Sequence, residues 1–190
     1  MKLTIADIQQ SEDMAIYFNW SLNALLPIYP GAADRYFEKY RETIIETGQR
    51  FLARINYTPQ TIYRGIIMRK PICCLAPHET MKYLSFSTDI KVAEHFADVN
   101  GFGSDIVDVK KQLGTYGYII EHTPAPIEIL FHYELLDILP YAEAINLIGI
   151  NGQKEVNGLK KKKEIMIEQP KIPFTNIKSY ENEIATLPTW

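Results

Sequence analysis

Three features of this sequence could do chemistry together: an arginine inside an apolar run, a pair of serines ahead of a short amphipathic stretch, and a glutamate opening a late apolar run. The arginine is Arg64 in Thr61-Ile62-Tyr63-Arg64-Gly65-Ile66-Ile67-Met68, a segment rich in β-favouring residues. A guanidinium there must reach an anion or the surface, because burying it unpaired is expensive. Its rigid fork suits a phosphate. Gly65 removes a side chain where backbone could approach a ligand. The serines lie in Tyr83-Leu84-Ser85-Phe86-Ser87, whose alternation predicts a half-buried strand with hydroxyls on one side. Thr88 or Asp89 then caps a short helix with Val92, Ala93 and Phe96 towards the core. A hydroxyl-lined strand end feeding a helix can cradle an anionic or sugar-bearing ligand. Glu164 opens Glu164-Ile165-Met166-Ile167, just after Lys160 to Lys163. Each feature alone also has a plain reading, as an edge-strand arginine, helix caps and an exposed strand-initial glutamate.

These groups need elements to hold them. Residues 1–56 read as helical. Ser11-Glu12-Asp13 opens a helix carrying Ala15, Phe18, Leu22, Leu25 and Leu26, and Pro27 to Gly31 ends it. From Ala32 to Ile55, Phe37, Tyr40, Ile44, Phe51 and Ile55 form one apolar stripe, while Glu38, Lys39, Arg41, Glu42 and Glu46 face water. Residues 60–178 read as strand-rich. Asp98 to Leu113 predicts a mobile surface loop, and Tyr116 to His122 a strand broken by Thr123-Pro124-Ala125-Pro126. Ile127 to Leu139 reads equally as strand or short helix. Ala142 to Ile148 is apolar, Asn151-Gly152 predicts a turn, and Lys160 to Lys163 a basic loop. Ile172 to Ile177, with Pro173 near its start, predicts an edge strand. Helices first and short strands after make an α+β fold, and no Gly-x-Gly-x-x-Gly follows a strand.

Composition narrows the class. The chain has 190 residues, 46% hydrophobic and 23% charged, which suits one globular domain over residues 1–190. No apolar run is long enough to span a bilayer, and Asp7, Glu12 and Asp13 come too early for a secretory signal. Cys73 and Cys74, the two cysteines, read as reduced thiols in a cytoplasmic protein. His78, His95, His122 and His132 lack metal-ligand spacing. A net charge of −3 argues against general coating of nucleic acid, though a local basic patch is compatible with it.

The order Tyr63-Arg64-Gly65, then Ser85-Phe86-Ser87 with Val92-Ala93-x-x-Phe96, then Glu164-Ile165-Met166-Ile167 resembles the mono-ADP-ribosyltransferase superfamily in its Arg-Ser-Glu class. The resemblance covers roughly residues 60 to 175, and the layout is most similar to small phage-encoded and bacterial-toxin members. It implies N-terminal helices followed by two small, packed, mainly antiparallel sheets, with NAD bent in the cleft between them. It implies NAD as substrate, ADP-ribose moved to a macromolecular acceptor in nucleic acid or a host protein, and nicotinamide released in a cytoplasm. Arg64, Ser85 and Glu164 would be catalytic. Tyr63, Arg64, Gly65, Ser85, Ser87 and Phe96 would bind NAD, with Phe96, Phe102 and Tyr116 as candidates for the ring against nicotinamide.

One position departs from the pattern. Family members that modify arginine usually carry an acidic residue two places before the catalytic glutamate, and others carry Gln. Here that place holds Lys162, so the resemblance implies an acceptor other than protein arginine. Lys160 to Lys163 could meet phosphates or steer an acidic protein partner. Two alternatives stay open: an NAD glycohydrolase that transfers to water, and a degenerate member that only binds an inhibitory or target protein.

Overall fold

The computed structural model describes residues 2–26, 31–68, 82–98, 116–168 and 177–180. Cys73, Cys74, His78, Phe102, the region read as a loop beyond Asp98, and Ile172 to Asn176 lie outside the described residues. Helices come first: α1 (Ile5–Gln9), α2 (Glu12–Leu25) and α3 (Ala32–Arg54). Ser11 caps α2, accepting from the Met14 N–H as its place before Glu12-Asp13 predicts. The strand-rich part runs β1 (Ile62–Met68), β2 (Tyr83–Ser87), α4 (Ile90–Ala97), β3 (Tyr116–His122), β4 (Ile129–His132), α5 (Tyr141–Leu147), α6 (Gly152–Lys162), β5 (Glu164–Glu168) and β6 (Ile177–Tyr180). The fold is α+β.

Among the described residues the strands make one antiparallel sheet of six, ordered β4-β5-β2-β1-β3-β6, where two packed sheets were expected. The physical basis of the difference is one junction. β1 pairs with β3 along its whole length and β2 with β5 along its own, but β1 and β2 pair only at Tyr63 and Ser87. Two three-stranded halves are thus joined at one point and part beyond it. The ambiguous stretch after Pro126 resolves into a 3-10 turn, strand β4 and a second 3-10 turn over Tyr133–Asp137.

The larger core joins α2 and α3 to β4, α5 and α6, with Tyr17, Trp20, Ile44, Phe131, Leu135, Tyr141, Ile145 and Met166 fully buried. Two contacts bring α3 against β4. The Gln49 side-chain amide donates to the Ile129 carbonyl at 3.0 Å. At Gly48 a Cβ would lie 2.9 Å from the Leu130 carbonyl oxygen, so only glycine allows this approach without displacement. A second cluster gathers Leu52, Ile62, Phe86, Ile120, Ile129, Ile165 and Ile167. Helix α6 replaces the loop expected at Lys160 to Lys163. Asn151 caps it through the Lys154 N–H, and Val156 and Leu159 bury one face. Asn157 and Gly158, poor helix formers, hid that helix in the sequence.

His132 is 2% exposed in this core. Its Nδ1 accepts from the Glu134 N–H at 3.3 Å, Tyr133 stacks on the ring, and Tyr57 meets it edge-on. Burial pushes its pKa down from 6.5 to about 4. Between those values the unfolded chain binds a proton that the folded chain does not. The stability that this neutral histidine permits is therefore complete above pH 6.5 and falls as pH drops towards 4. The loss should reach up to about 3 kcal/mol at 1.36 kcal/mol per unit. Urea unfolding across that window should show the slope in the native protein and a flatter one in His132→Gln; equal slopes would mean that His132 takes up its proton in the folded state as readily as in the unfolded chain.

Candidate active site

Residue parity on the strands assembles the site. Ser87 lies opposite both Tyr63 on β1 and Glu164 on β5, so these side chains share a face of the sheet. Ser85, two residues before Ser87, joins them. Gly65, two after Tyr63, sits under α4: a Cβ there would lie 1.8 Å from the Ala93 carbonyl oxygen and 2.6 Å from the Ala97 amide nitrogen. The close approach that Gly65 allows is therefore by helix α4, where the sequence suggested a ligand. Tyr63, Gly65, Ser85, Ser87 and Glu164 line one cleft with Val92, Ala93 and Phe96 of α4, with Arg64 and with Lys162 at the end of α6.

Arg64 is out of phase with its cleft-lining neighbours on β1. Ile62 and Ile66, which share its parity, pack into the second core cluster. Beyond the single Tyr63–Ser87 pair the strands part, and the Arg64 guanidinium enters the gap. Its Nη1 donates to the Ser85 carbonyl at 2.6 Å. The Ser85 hydroxyl meets the Glu164 carboxylate, so one serine links the arginine and the glutamate, through its backbone and its side chain respectively.

The electrostatics follow from burial. Glu164 is half-buried, and its pKa is pushed above the usual carboxylate range by desolvation. The Ser85 hydrogen bond, then Lys162, then Arg64 oppose that rise. Burial pulls Arg64 below the usual guanidinium range, and Glu164 opposes that shift; the guanidinium remains charged. The two cations and one carboxylate lining the cleft leave one positive charge uncompensated. At about 260 Å³ the cleft lies just under the usual ~300–1,000 Å³ of small-ligand sites. It has room for a sugar and a ring, with a hydroxyl-and-charge wall facing an apolar wall of Val92 and Phe96.

The structure thus brings together the seven residues read as catalytic or NAD-binding, Tyr63, Arg64, Gly65, Ser85, Ser87, Phe96 and Glu164, but not every candidate for the ring against nicotinamide. Phe96, expected towards the core, is 41% exposed at the cleft, and Ala97 takes the buried place on α4. Tyr116 is exposed on β3 and does not line the cleft. Phe86, Val92, Ala93 and Lys162 complete the lining; the helical spacing points Val92 and Ala93 only towards the core. Of the four lysines, Lys160 pairs with Asp137 and Lys163 with Asp89, so the basic run does not present one continuous patch. Among the described residues no group of three or more His, Cys, Asp or Glu could hold a metal ion, and no helix is long and apolar enough to cross a membrane. No family model, curated protein or solved structure matches the chain.

Gly65→Ala tests the seat of α4. The added methyl meets backbone atoms that cannot swing aside, so α4 must lift from β1. Stability should fall by about 1–3 kcal/mol, the usual penalty for overpacking, with a lower urea midpoint. Native-like stability would show that α4 does not rest on Gly65.

Proposed function

We propose that the protein is an NAD-dependent mono-ADP-ribosyltransferase of the Arg-Ser-Glu class. The observation that carries this reading is the convergence of Arg64, Ser85 and Glu164, from three strands, at the point where the sheet divides. Arg64 supplies the fixed positive fork that a pyrophosphate requires. Ser85 and Glu164 form a hydrogen-bonded wall for a ribose, and Phe96 offers a ring face beside it. In the reaction the bond between nicotinamide nitrogen and ribose C1′ breaks, and nicotinamide leaves with the bonding electron pair. Positive charge then builds on the ribose. The Glu164 carboxylate, accepting from the ribose 2′-hydroxyl, stabilises that charge while the acceptor nucleophile closes on C1′ and loses its proton.

Glu164→Gln keeps the shape and removes the charge. By analogy with lost oxyanion-hole donors it should cost at least about 2.7–4 kcal/mol of transition-state stabilisation, roughly a hundredfold or more in turnover. Nicotinamide release from labelled NAD measures this, and native turnover by the variant would sink the assignment. The profile carries a second signature. If the ionised form works, activity must rise with pH through a Glu164 pKa held above the ordinary range. Removing the Lys162 charge in Lys162→Met takes away one opposing influence and should move that rise to higher pH. Arg64→Lys should weaken NAD binding by calorimetry, because a point charge cannot reproduce the fork.

The acceptor reading rests on Lys162. An ammonium at the cleft repels a guanidinium and attracts an anion, so the acceptor is proposed to be nucleic acid or a protein side chain other than arginine. Incubation with labelled NAD and a cell extract, divided between nuclease and protease, tests it. Label on protein arginine would defeat the acceptor reading and leave the transferase intact. Nicotinamide release without any label would instead identify a glycohydrolase, and no release at all a binding module.

A further inference from the structure

Helix α3 carries a surface that the cleft does not use, and we propose that it docks single-stranded nucleic acid, with Tyr36 and Tyr40 meeting bases and Arg35 and Lys39 meeting phosphates. This goes beyond the transferase reading and does not depend on it. Arg35 and Lys39, like Tyr36 and Tyr40, are four residues apart, so the two pairs run side by side along the helix. Arg35 and Lys39 are exposed, while Tyr36 and Tyr40 are half-buried at the margin of the larger core. The tyrosine rings lie 5.7 Å apart at 39°, and the Lys39 ammonium stands over the Tyr40 ring at 4.7 Å. Helix α3 leaves helical geometry at Tyr40, with φ −126 and ψ 27, so rings and cation meet at a break in the helix.

The sign of this surface follows from where the acids of α3 go. Asp34 accepts from the Tyr83 hydroxyl, and Glu38 pairs with Lys82 at 3.1 Å. Both acids are thus turned to the other flank, towards the start of β2. Arg35 and Lys39 have no acidic partner among the described residues, and of the acids within a turn of them only Glu42 is left without a partner there. The surface is net positive, and an anion complements it. Its occupant follows from the side chains present. The large apolar side chains exposed among the described residues, Leu147 and Ile127 foremost, lie elsewhere and none is on α3. This face therefore lacks the apolar centre of a protein interface. Rings beside cations suit an unpaired strand, whose bases stack on aromatic side chains while its phosphates meet Arg and Lys. A duplex keeps its base faces inside its own stack. Tyr83 lies at the opposite end of β2 from Ser87, so the surface is separate from the cleft.

The test titrates the full chain, without NAD, against a dye-labelled single strand of mixed sequence and reads anisotropy over a range of salt. Binding should weaken as salt rises. In the double variant Arg35→Gln, Lys39→Gln the slope of log K against log salt should shrink by about 1.4, for two phosphate contacts at about 0.7 each. Tyr36→Leu, which keeps an apolar group on the core, should weaken binding by about fivefold to a hundredfold, the range for one lost stacking contact, and leave the slope as it is. A duplex of the same sequence should bind at least about tenfold more weakly. Absence of binding at low salt, an unchanged slope in the double variant, or unchanged affinity in Tyr36→Leu would each overturn the inference. Equal affinity for the duplex would remove the stacking, and equal affinity for polyglutamate would make the surface a contact for acidic protein; either result overturns it too. Where Tyr36→Leu does not fold, the double variant at two exposed positions and the duplex comparison decide. A protein that binds the strand yet releases no nicotinamide would defeat the transferase reading alone, and one that releases nicotinamide without binding the strand would defeat this inference alone.

Discussion

A guanidinium lodged where two strands part is the constraint around which the rest of this molecule is arranged. Arg64 cannot sit inside the sheet without partners, because an unpaired buried charge is far too costly. It finds the Ser85 carbonyl directly and Glu164 through space. That arrangement is open to it because β1 and β2 share a single pair. Had the ladder continued, β1 backbone would fill the space that the guanidinium occupies. The division of the sheet and the burial of the charge are thus one feature seen twice. The same geometry keeps Glu164 half-buried beside two cations, with one positive charge left to attract an anion.

Holding a divided sheet at a fixed opening requires supports on both sides of the gap. On the β1 side α4 lies directly over Gly65, and only a residue without a side chain lets it come so close. On the β5 side α6 ends in the turn that Ser87 ties down. The large core of aromatic and aliphatic side chains lies among α2, α3, β4, α5 and α6. It anchors β5 through Met166 and leaves the cleft lined by only a few apolar groups. Bulk stability and site geometry are in this way carried by different residues.

Much of this was legible in the sequence, for identifiable reasons. Ser11 and Asp89 announce helix starts because a capping oxygen is a local requirement. The alternation of Tyr83 to Ser87 fixes which side chains share a face, so Ser85 and Ser87 could be placed beside one another without knowing the partner strand. The order of Arg64, Ser85 and Glu164 marked the site because each residue type is unusual in its own apolar run. What could not be read was non-local. Gly65 reads as making room for a ligand because nothing in the sequence says which element will cover it. Phe96 follows the helical spacing of a core residue, yet α4 is short and its end lies at the cleft rim. Helix α6 was missed because Asn157-Gly158 and four lysines in a row read as a loop, while its stability comes from Val156 and Leu159 packing on the larger core. One sheet stands in place of two because the single Tyr63–Ser87 pair joins halves that the resemblance implies are separate.

That missed helix changes how the lysine run should be understood. Lys160, Lys161 and Lys162 occupy the last turn of α6, where cations are favoured by the unsatisfied carbonyls and the helix dipole. Lys160 and Lys163 are further matched to Asp137 and Asp89. Most of the run therefore has a structural explanation that requires no partner. Lys162 is different, because the turn that follows it aims its side chain at the cleft where Glu164 begins. Helix polarity alone would be equally served by a lysine facing solvent. It is this direction, not the number of lysines, that ties the basic run to the cleft and adds a positive charge beside Glu164.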